Sequence, residues 1–400
     1  MIWIYNISKI IKTPVKYANG VPACLPVGKL CRNLTGQVKM SFLQKKIFDF
    51  TPEVFGMEVN DFSIKAMQLE KEGKLDRVRS FIAGNIPPGA IEDGKIINAE
   101  LVISIIKEII KKAQPRRIST NKVVYSLPES KVFLRRIAIP KLGDKEISEA
   151  IKWELEANIP LPIDQVYFDW KVLDISADGK QNILTAAVAK PTVDEFVSVI
   201  EKAGLEVYGL KVESLSSARS LIDEKLKAED AILLIVDLGL KKTIFTIVVG
   251  KNPCFTSSIP FSIEGIGEAL AKKMNMSLPE IENALAVNGI ADSGSPLAAA
   301  VQPLLENFAQ EMEKTLDFFL NVSKDNLPFS RIILTGAGSG INGLPDFLAQ
   351  RMGKTVVISN PLVNLKLNKE DGQFLMNQGN LASQATIIGL ALWGLHYFNE

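Results

Sequence analysis

The chain has 400 residues, 47% of them hydrophobic and 23% charged, a balance that predicts roughly one to three globular domains with a sizeable core. Its 46 basic and 45 acidic residues leave a formal net charge of +1, which argues against nucleic acid as the main partner. Three cysteines and a single histidine exclude a histidine-rich metal site and give no spacing typical of a disulfide framework.

The N-terminal region differs from the rest of the chain. Prolines and glycines interrupt residues 1–45 without a sustained hydrophobic period. We interpret them as an irregular extension or a misassigned start, with a docking tail as the alternative. The first residues lack the basic and apolar regions of a signal peptide, and no apolar run reaches the roughly 18–20 residues that span a bilayer. The sequence therefore predicts a soluble, cytoplasmic protein.

The first folded block is predicted to be rich in strands. From residue 54 onward, short apolar runs are separated by Asn60-Asp61 and by Glu72-Gly73, residue pairs that suit hairpin turns. Apolar residues at helical spacing predict a helix over residues 99–112, which Pro115 ends.

A second, compact block is predicted over residues 122–190. It contains two strands that each end at a proline, an amphipathic helix over residues 145–158, and two strands separated by the hairpin signal Asp178-Gly179. This order of elements is typical of a subdomain inserted into the first block. A helix over residues 192–203 and a strand over residues 205–213 follow.

Residues 231–250 are the most informative segment, because they predict an apolar strand, a tight polar turn and a second apolar strand. Gly239 would let backbone N–H groups approach a phosphate closely, and Thr243 adds a hydroxyl. Asp237, at the end of a buried strand, would orient a hydrated Mg²⁺, which prefers oxygen ligands. An ordinary hairpin with Asp and Gly in its turn is the alternative interpretation.

A glycine-rich loop near the C-terminus is a third candidate element of a ligand site. After helices predicted over residues 262–274, 279–286 and 296–321, residues 331–344 predict a strand, a glycine-rich turn and the start of a helix. A strand, a glycine loop and a helix N-terminus in this order commonly hold a phosphate or a nucleotide. A plain turn between strand and helix is the alternative.

The two strand-turn-strand segments form a weak internal repeat. In both, the first strand ends near an acidic residue, so that Glu58 corresponds to Asp237. In the turns that follow, Asn60 corresponds to Gly239. Two such halves across a cleft, with the glycine loop as the third element, resemble the ATPase fold shared by actin, sugar kinases and heat-shock chaperones. The resemblance implies an α/β, actin-like (ribonuclease H-like) fold with two lobes.

The order of the segments resembles one family in particular, the PilM proteins of type IV pilus assembly, which are relatives of the cell-division protein FtsA. The likeness covers about residues 50–400. The segments that carry it are GMEVNDFSIKAMQL, NIPPGAIEDGKIIN, SLPESKVFLRRIAIPKL, IKWELEANIPLPIDQVYFDWKVL, KVESLSSARSL, VDLGLKKTIFTIVVGK, IILTGAGSGINGLPDFL and ATIIGLALWGL.

The resemblance implies a domain organisation in which ATP and Mg²⁺ lie between two lobes. An FtsA-type (1C-like, SHS2) subdomain would be inserted into the first lobe. The implied units are the first lobe at residues 46–121 and 191–229, the inserted subdomain at residues 122–190, the second lobe with its helical subdomain at residues 230–385, and a C-terminal helix at residues 386–400 that packs back on the core.

The resemblance also implies a membrane partner. Proteins of this family bind the N-terminal cytoplasmic segment of the bitopic membrane protein PilN in a groove between the inserted subdomain and the first lobe. A PilN-like partner would hold this protein at the inner membrane, indirectly near the pilus assembly ATPases. Tyr167, Phe168 and Trp170 would line the groove, with membership of the core as the alternative.

The site residues are carried over motif by motif. The candidates for nucleotide binding are Asn60, Asp61, Ser63, Lys65, Asp237, Gly239, Lys241, Lys242, Thr243, Gly336, Ala337, Gly338 and Ser339. Glu58 and Asp237 are the candidates for binding Mg²⁺ through water. The sequence identifies no catalytic base.

The first hairpin departs from the family pattern, since Glu58 replaces an Asp and Asn60 replaces a Gly. The longer Glu58 side chain would change the position of the metal-bound water, and the Asn60 side chain stands where a phosphate should approach. The expected function is an ATP-binding adaptor with slow or no hydrolysis. A scaffold that keeps the fold without nucleotide is the first alternative. The second is a small-molecule kinase, for which the sequence shows no substrate-binding cluster.

Overall fold

The computed structural model describes residues 53–176, 179–225, 231–292, 294–323 and 327–396, and the structural statements below refer to these ranges. The N-terminal extension that the sequence predicts lies outside them. The strands are β1 (Phe55–Val59), β2 (Ser63–Glu72), β3 (Leu75–Asn85), β4 (Ile91–Glu92), β5 (Lys95–Ile96), β6 (Gln114–Pro115), β7 (Lys122–Leu127), β8 (Val132–Ile139), β9 (Val166–Ile175), β10 (Gln181–Ala189), β11 (Glu206–Val212), β12 (Ile232–Leu238), β13 (Thr243–Val249), β14 (Asn252–Ile259), β15 (Phe329–Thr335) and β16 (Thr355–Ile358). The helices are α1 (Ala99–Ile110), α2 (Asp144–Asn158), α3 (Lys190–Lys202), α4 (Glu213–Leu221), α5 (Ile263–Met274), α6 (Leu278–Val287), α7 (Pro296–Ser323), α8 (Leu344–Met352), α9 (Lys369–Met376) and α10 (Ala385–His396).

Two sheets repeat the same strand pattern. The first has the order β11-β7-β1-β2-β3-β6, and the second begins β16-β15-β12-β13-β14. In each sheet the central strand, β1 or β12, is parallel to one neighbour and antiparallel to its hairpin partner. The internal repeat that the sequence predicts is therefore present as two halves of equal topology. Each half turns at the carboxyl end of its central strand.

The inserted segment consists of β8, β9 and β10, covered on one face by α2. Its strands continue the second sheet through one residue pair, Phe255 of β14 with Arg135 of β8. The sequence assigned residues 122–127 to this inserted segment, but the structure places them in the first sheet as β7, between β1 and β11. Five of the six residues of β7 are buried, as expected for an inner strand of a covered sheet.

Helix starts follow local capping signals. The Asn98 side chain accepts a hydrogen bond from the Leu101 N–H at the start of α1, and the Ser262 hydroxyl accepts one from the Gly265 N–H at the start of α5. Among the described residues no helix combines the length and the apolar character needed to cross a membrane.

The C-terminal helix α10 packs against the first sheet and α4. Ile387, Ile388 and Leu390 are fully buried in this contact. A Cβ on Gly389 would lie 1.8 Å from the Ser216 carbonyl oxygen of α4, so the two helices approach closely only because residue 389 is glycine. The first residues of α10 are thereby held beside the ends of β1 and β12.

Candidate functional site

A cavity of about 360 Å³ lies where the two hairpins, the loop after β15 and the start of α10 meet. Its wall includes both central strand ends and the first residue of α4. The lining residues are Glu58, Asn60, Asp61, Phe62, Ser63, Lys65, Asp93, Gly94, Pro128, Glu213, Asp237, Gly239, Leu240, Lys241, Lys242, Ile244, Gly336, Ala337, Ala382, Ser383, Ala385 and Thr386. The structure thus brings eleven of the fourteen residues predicted for nucleotide and metal to one place, beside Glu213.

The second hairpin, β12–β13, presents open polar groups to the cavity. In the part of the chain that the structure describes, the backbone N–H groups of Leu240 and Lys241 donate no hydrogen bond. A Cβ on Gly239 would lie 2.7 Å from the Lys242 carbonyl oxygen, so the turn requires glycine there. A turn with free N–H groups and no side chain at its first position is suited to an oxyanion.

Asp237 is the penultimate residue of β12, and its carboxylate also faces the cavity. No hydrogen-bond donor to it is present within the described ranges. Burial, and after it the nearby charge of Glu58, raises the pKa of Asp237 to about 6, while Lys65 and Lys242 oppose the rise. A carboxylate without a protein donor is free to hold the water of a hydrated cation.

The first hairpin, β1–β2, is closed by its own side chain. Oδ1 of Asn60 accepts hydrogen bonds from the Phe62 N–H at 3.0 Å and from the Ser63 N–H at 2.9 Å. The Ser63 hydroxyl donates to the same oxygen at 3.2 Å. This is an Asx-type turn, in which the Asn side chain takes the place that an anion would occupy.

Glu58 differs from Asp237 in having a cationic partner. Lys65 lies directly opposite it on β2, with its Nζ 3.4 Å from Oε1 of Glu58. The same Nζ donates to the Ser383 carbonyl oxygen at 2.9 Å. Of the two carboxylates predicted to hold Mg²⁺, Asp237 therefore fits that role better. The described residues contain no cluster of three acidic, cysteine or histidine side chains arranged as direct metal ligands.

The glycine loop after β15 forms the third wall. Gly336 has φ +83°, and a Cβ there would lie 2.3 Å from Oδ1 of Asp237, so the loop touches the second hairpin through a position that only glycine fills. Ala337 lines the cavity beside it. Gly338 and Ser339 lie behind the wall, where Gly338 contacts Leu238 and the Ser339 hydroxyl donates to the Gly336 carbonyl at 2.7 Å.

Thr243 also lies away from the cavity. It is fully buried, and its hydroxyl donates to the Phe261 carbonyl oxygen at 2.7 Å. Lys241 does line the cavity, and its Nζ lies 2.5 Å from Oε2 of Glu264. Asp61 lines it as well and accepts a hydrogen bond from the Gly94 N–H at 2.9 Å.

Glu213 is the cavity carboxylate that the sequence did not single out. It is the first residue of α4, and burial raises its pKa to about 7 against the opposing charge of Lys242. An acidic residue at the junction of a strand and a helix is the signal that would have drawn attention to it. A carboxyl group that titrates near neutrality in a cavity is suited to accept a proton from water.

The three aromatic residues predicted for a partner groove lie on β9, but they do not share one face. Tyr167 packs towards the core of the first lobe, and its hydroxyl donates to the Asp194 carboxylate at 3.2 Å. Phe168 and Trp170 stack with ring centroids 6.1 Å apart and pack on the inserted segment's own core. All three are partly buried. The alternation of side chains along a strand explains the split.

Comparisons with known proteins bear on the family and the fold of the chain. A family model described as type IV pilus assembly protein PilM matches residues 56–395. The chain is similar to a solved structure described as a PilM-PilN type IV pilus biogenesis complex, with a TM-score of 0.73 and 25% identity over 86% of this chain and 99% of that chain. This likeness and the sheet topology confirm the expected actin-like, two-lobed α/β fold.

Two more distant likenesses were found. MreB5 of Spiroplasma citri bound to AMPPNP has a TM-score of 0.47 and 12% identity over 86% of this chain and 96% of that chain. Among curated proteins, type II secretion system protein L of Xanthomonas campestris pv. campestris is 27% identical over 92 residues, which are 23% of this chain. The match spans 25% of that protein, about a quarter of its length.

Proposed function

We propose that this chain, which belongs to the family of the type IV pilus assembly protein PilM, is a cytoplasmic adaptor that binds ATP between its lobes and the N-terminal segment of a PilN-like inner-membrane protein. The observation that carries the nucleotide part is the convergence of two hairpins and a glycine loop on one cavity. Each element alone is common, but the three together around one volume are suited to the phosphates and sugar of a nucleotide.

The charges of the cavity support binding of ATP together with a divalent cation. Its lining holds five carboxylates and only three lysines, so a bare polyphosphate would meet net repulsion. Asp237 would hold a hydrated divalent cation, whose positive charge would offset this repulsion, since Mg²⁺ usually keeps several waters in such sites. The phosphates would meet the free N–H groups of Leu240 and Lys241 and the side chain of Lys242.

Hydrolysis is a separate step, and Glu213 is the residue to test for it. Its carboxyl group faces the cavity and titrates near neutrality. Such a group would orient or deprotonate an attacking water. We propose slow turnover at most, because the first hairpin has its N–H groups occupied by Asn60.

That same feature favours a second candidate, a scaffold that keeps the fold and the partner site without nucleotide. The Asn60 side chain and the Glu58–Lys65 ion pair satisfy the first hairpin without any ligand. Adaptor and scaffold share the partner and the location at the inner membrane, and differ only in the cavity.

The partner part of the proposal is supported by the likeness to a PilM-PilN complex. Strand β9 ends the eight-stranded sheet within the described residues, so its outer edge is available to an extended peptide. Tyr167 lies on the side of β9 that faces the first lobe, and Phe168 and Trp170 on the other. We propose that a peptide along this edge would contact one of these two aromatic sets.

One titration tests both parts. The purified full-length chain is titrated with Mg-ATP, with and without a synthetic peptide from the N-terminus of its PilN-like partner, and thermal unfolding is followed. A ligand at 100 times its Kd should stabilise the native state by about 2.7 kcal/mol. Asp237→Asn should remove the ATP response, and Asp164→Asn, at an exposed position, is the matched control.

The outcomes separate the candidates. Stabilisation by both ligands supports the ATP-binding adaptor. Stabilisation by the peptide alone overturns nucleotide binding and leaves the scaffold. Stabilisation by neither ligand contradicts both.

A further inference from the structure

Two glutamates from distant parts of the sequence hold each other at the cavity wall, Glu213 lining the cavity and Glu129 buried behind it. The backbone N–H of Glu129 donates to Oε2 of Glu213 at 2.9 Å, and the backbone N–H of Ser214 donates to Oε2 of Glu129 at 3.2 Å. Each carboxylate thus accepts a hydrogen bond from the backbone beside the other. Reciprocal bonds of this type, familiar from the capping box of a helix, fix two segments relative to each other.

The Glu129 side chain depends on this contact for its position. The residue is 5% exposed, and its Oε1 accepts no hydrogen bond from the residues that the structure describes. Burial raises the pKa of Glu129, and the hydroxyls of Thr256 and Ser214 oppose the rise. The Ser214 N–H belongs to the first turn of α4, where an acidic group is favoured by the helix dipole.

Glu129 also lies at a junction between three parts of the molecule. Pro128, the residue before it, lines the cavity, and Val132, shortly after it, begins β8 of the inserted segment. Glu213 lines the cavity from the first position of α4. One pair of hydrogen bonds therefore connects the inserted segment, α4 and the cavity wall.

We infer that Glu129 is a positioning residue that holds the Glu213 carboxylate at the cavity wall and ties it to the inserted segment. The inference rests on the proposed function, because the ligand that Glu213 would meet is the Mg-nucleotide. Glu129 itself does not line the cavity. It acts only through Glu213 and the start of α4. A substitution of Glu129 therefore alters nucleotide binding by displacing Glu213.

A double-mutant cycle tests this route. The dissociation constant of Mg-ATP is measured for the full chain, Glu129→Leu, which removes the acceptor for the Ser214 N–H, Glu213→Gln and the double variant. Glu213→Gln removes a negative charge that faces an anionic ligand, and we expect the dissociation constant to fall by about 3- to 10-fold. Glu129→Leu should change the constant in the same direction, and the double variant should differ little from Glu213→Gln alone.

A conservative variant separates positioning from charge. Glu129→Asp keeps the negative charge but shortens the side chain by one methylene, so it no longer reaches the Ser214 N–H. Positioning predicts that Glu129→Asp departs from wild type as Glu129→Leu does. Glu154→Gln, at an exposed glutamate of α2, is the matched control and should leave the constant unchanged.

Three results would overturn the inference. The two single effects multiply in the double variant, or Glu129→Asp binds as wild type, or Glu129→Leu lowers the unfolding midpoint and leaves the dissociation constant unchanged. Absence of Mg-ATP binding by wild type overturns the proposed function instead. The unfolding midpoints of the same four proteins then test the contact between Glu129 and Glu213. If the midpoint shifts of the two single variants do not add up to that of the double variant, the contact is supported, and if they do add up, it is overturned.

Discussion

The two hairpins have the same register, but their acidic residues differ: one is paired with a lysine and the other faces the cavity. On β1–β2 the acidic Glu58 lies directly opposite Lys65, and on β12–β13 the acidic Asp237 lies directly opposite Ile244. One cross-strand position thus decides whether the carboxylate is paired within the protein or faces the cavity without a partner. Cross-strand neighbours on one face are close enough for this contact in any antiparallel pair.

The turns differ in the same sense. Asn60 fills the first turn with its own carbonyl oxygen, whereas Gly239 leaves the second turn without a side chain. The duplicated fold therefore supplies two equivalent places for an anion, and one residue in each turn decides whether the place stays open. Substitutions that close the open hairpin or open the closed one test this difference.

The largest effect is expected from Gly336→Ala, which closes the second hairpin from outside. A Cβ there would lie 2.3 Å from Oδ1 of Asp237 and 2.6 Å from the Leu238 carbonyl oxygen, at φ +83°. We expect the free energy of unfolding to fall by about 3 kcal/mol and the response to Mg-ATP to disappear. Chemical denaturation measures the first, with Gly340→Ala as control, since a Cβ there meets only Asn380 Nδ2 at 3.7 Å. Equal stability of the two variants would contradict the prediction.

Asp237→Asn should weaken Mg-ATP binding by about 10- to 100-fold, because the neutral side chain no longer holds the water of the cation. Glu58→Gln, at the equivalent position of the first hairpin, should change the binding by less than about 3-fold, because Glu58 is already paired with Lys65. Calorimetric titration of both variants measures the difference. Equal losses would show that the two hairpins contribute equally.

The pH dependence of stability reports the open carboxylates. Burial raises the pKa of Asp237 to about 6 and that of Glu213 to about 7. Between about pH 4 and pH 7 the folded state therefore holds more protons than the unfolded chain. The free energy of unfolding falls as the pH rises through this window, by about 3 kcal/mol for Asp237 alone. Denaturation at several pH values should give a flatter profile for Asp237→Asn, and an unchanged profile would refute it.

The smallest effect is expected from Asn60→Gly, which opens the first hairpin. Loss of the Asn60 oxygen frees the N–H groups of Phe62 and Ser63. We expect Mg-ATP to bind about 3- to 10-fold more tightly, while the free energy of unfolding falls by about 1 kcal/mol through loss of the turn bonds and the added flexibility of glycine. Asn275→Gly, at a left-handed helix end far along the chain, is a control that should leave the affinity unchanged.

The sequence predicted the hairpins and the glycine loop because each is a local pattern of turn residues between apolar runs. It did not predict where Thr243 points. Thr243 lies opposite Leu238 and so shares a face with that buried side chain, while Ile244 lies opposite Asp237. The Thr243 hydroxyl therefore cannot reach the cavity, because successive side chains of a strand point to opposite faces of the sheet.

Glu213 and β7 show the other limit of sequence reasoning. Glu213 reaches the cavity because β11 pairs with β7, and β7 with β1, which brings residues far apart in sequence to one sheet edge. Periodicity reports which face of an element is apolar but not which strand lies beside it. The position of β7 in the first sheet, and the position of Glu213 at the cavity, could therefore be known only from the pairing of the strands.

The one-residue seam between β14 and β8 has a mechanical consequence. Eight strands form one sheet, yet among the described residues a single strand pair, Phe255–Arg135, joins the ladder of the inserted segment to that of the second lobe, with the Arg135 guanidinium 4.7 Å from the centre of the Phe255 ring. A load applied to the inserted segment would peel this pair open before it sheared the long ladders on either side. Both lobes would keep their sheets intact, so the seam is the place where a tethered molecule of this architecture would yield and close again.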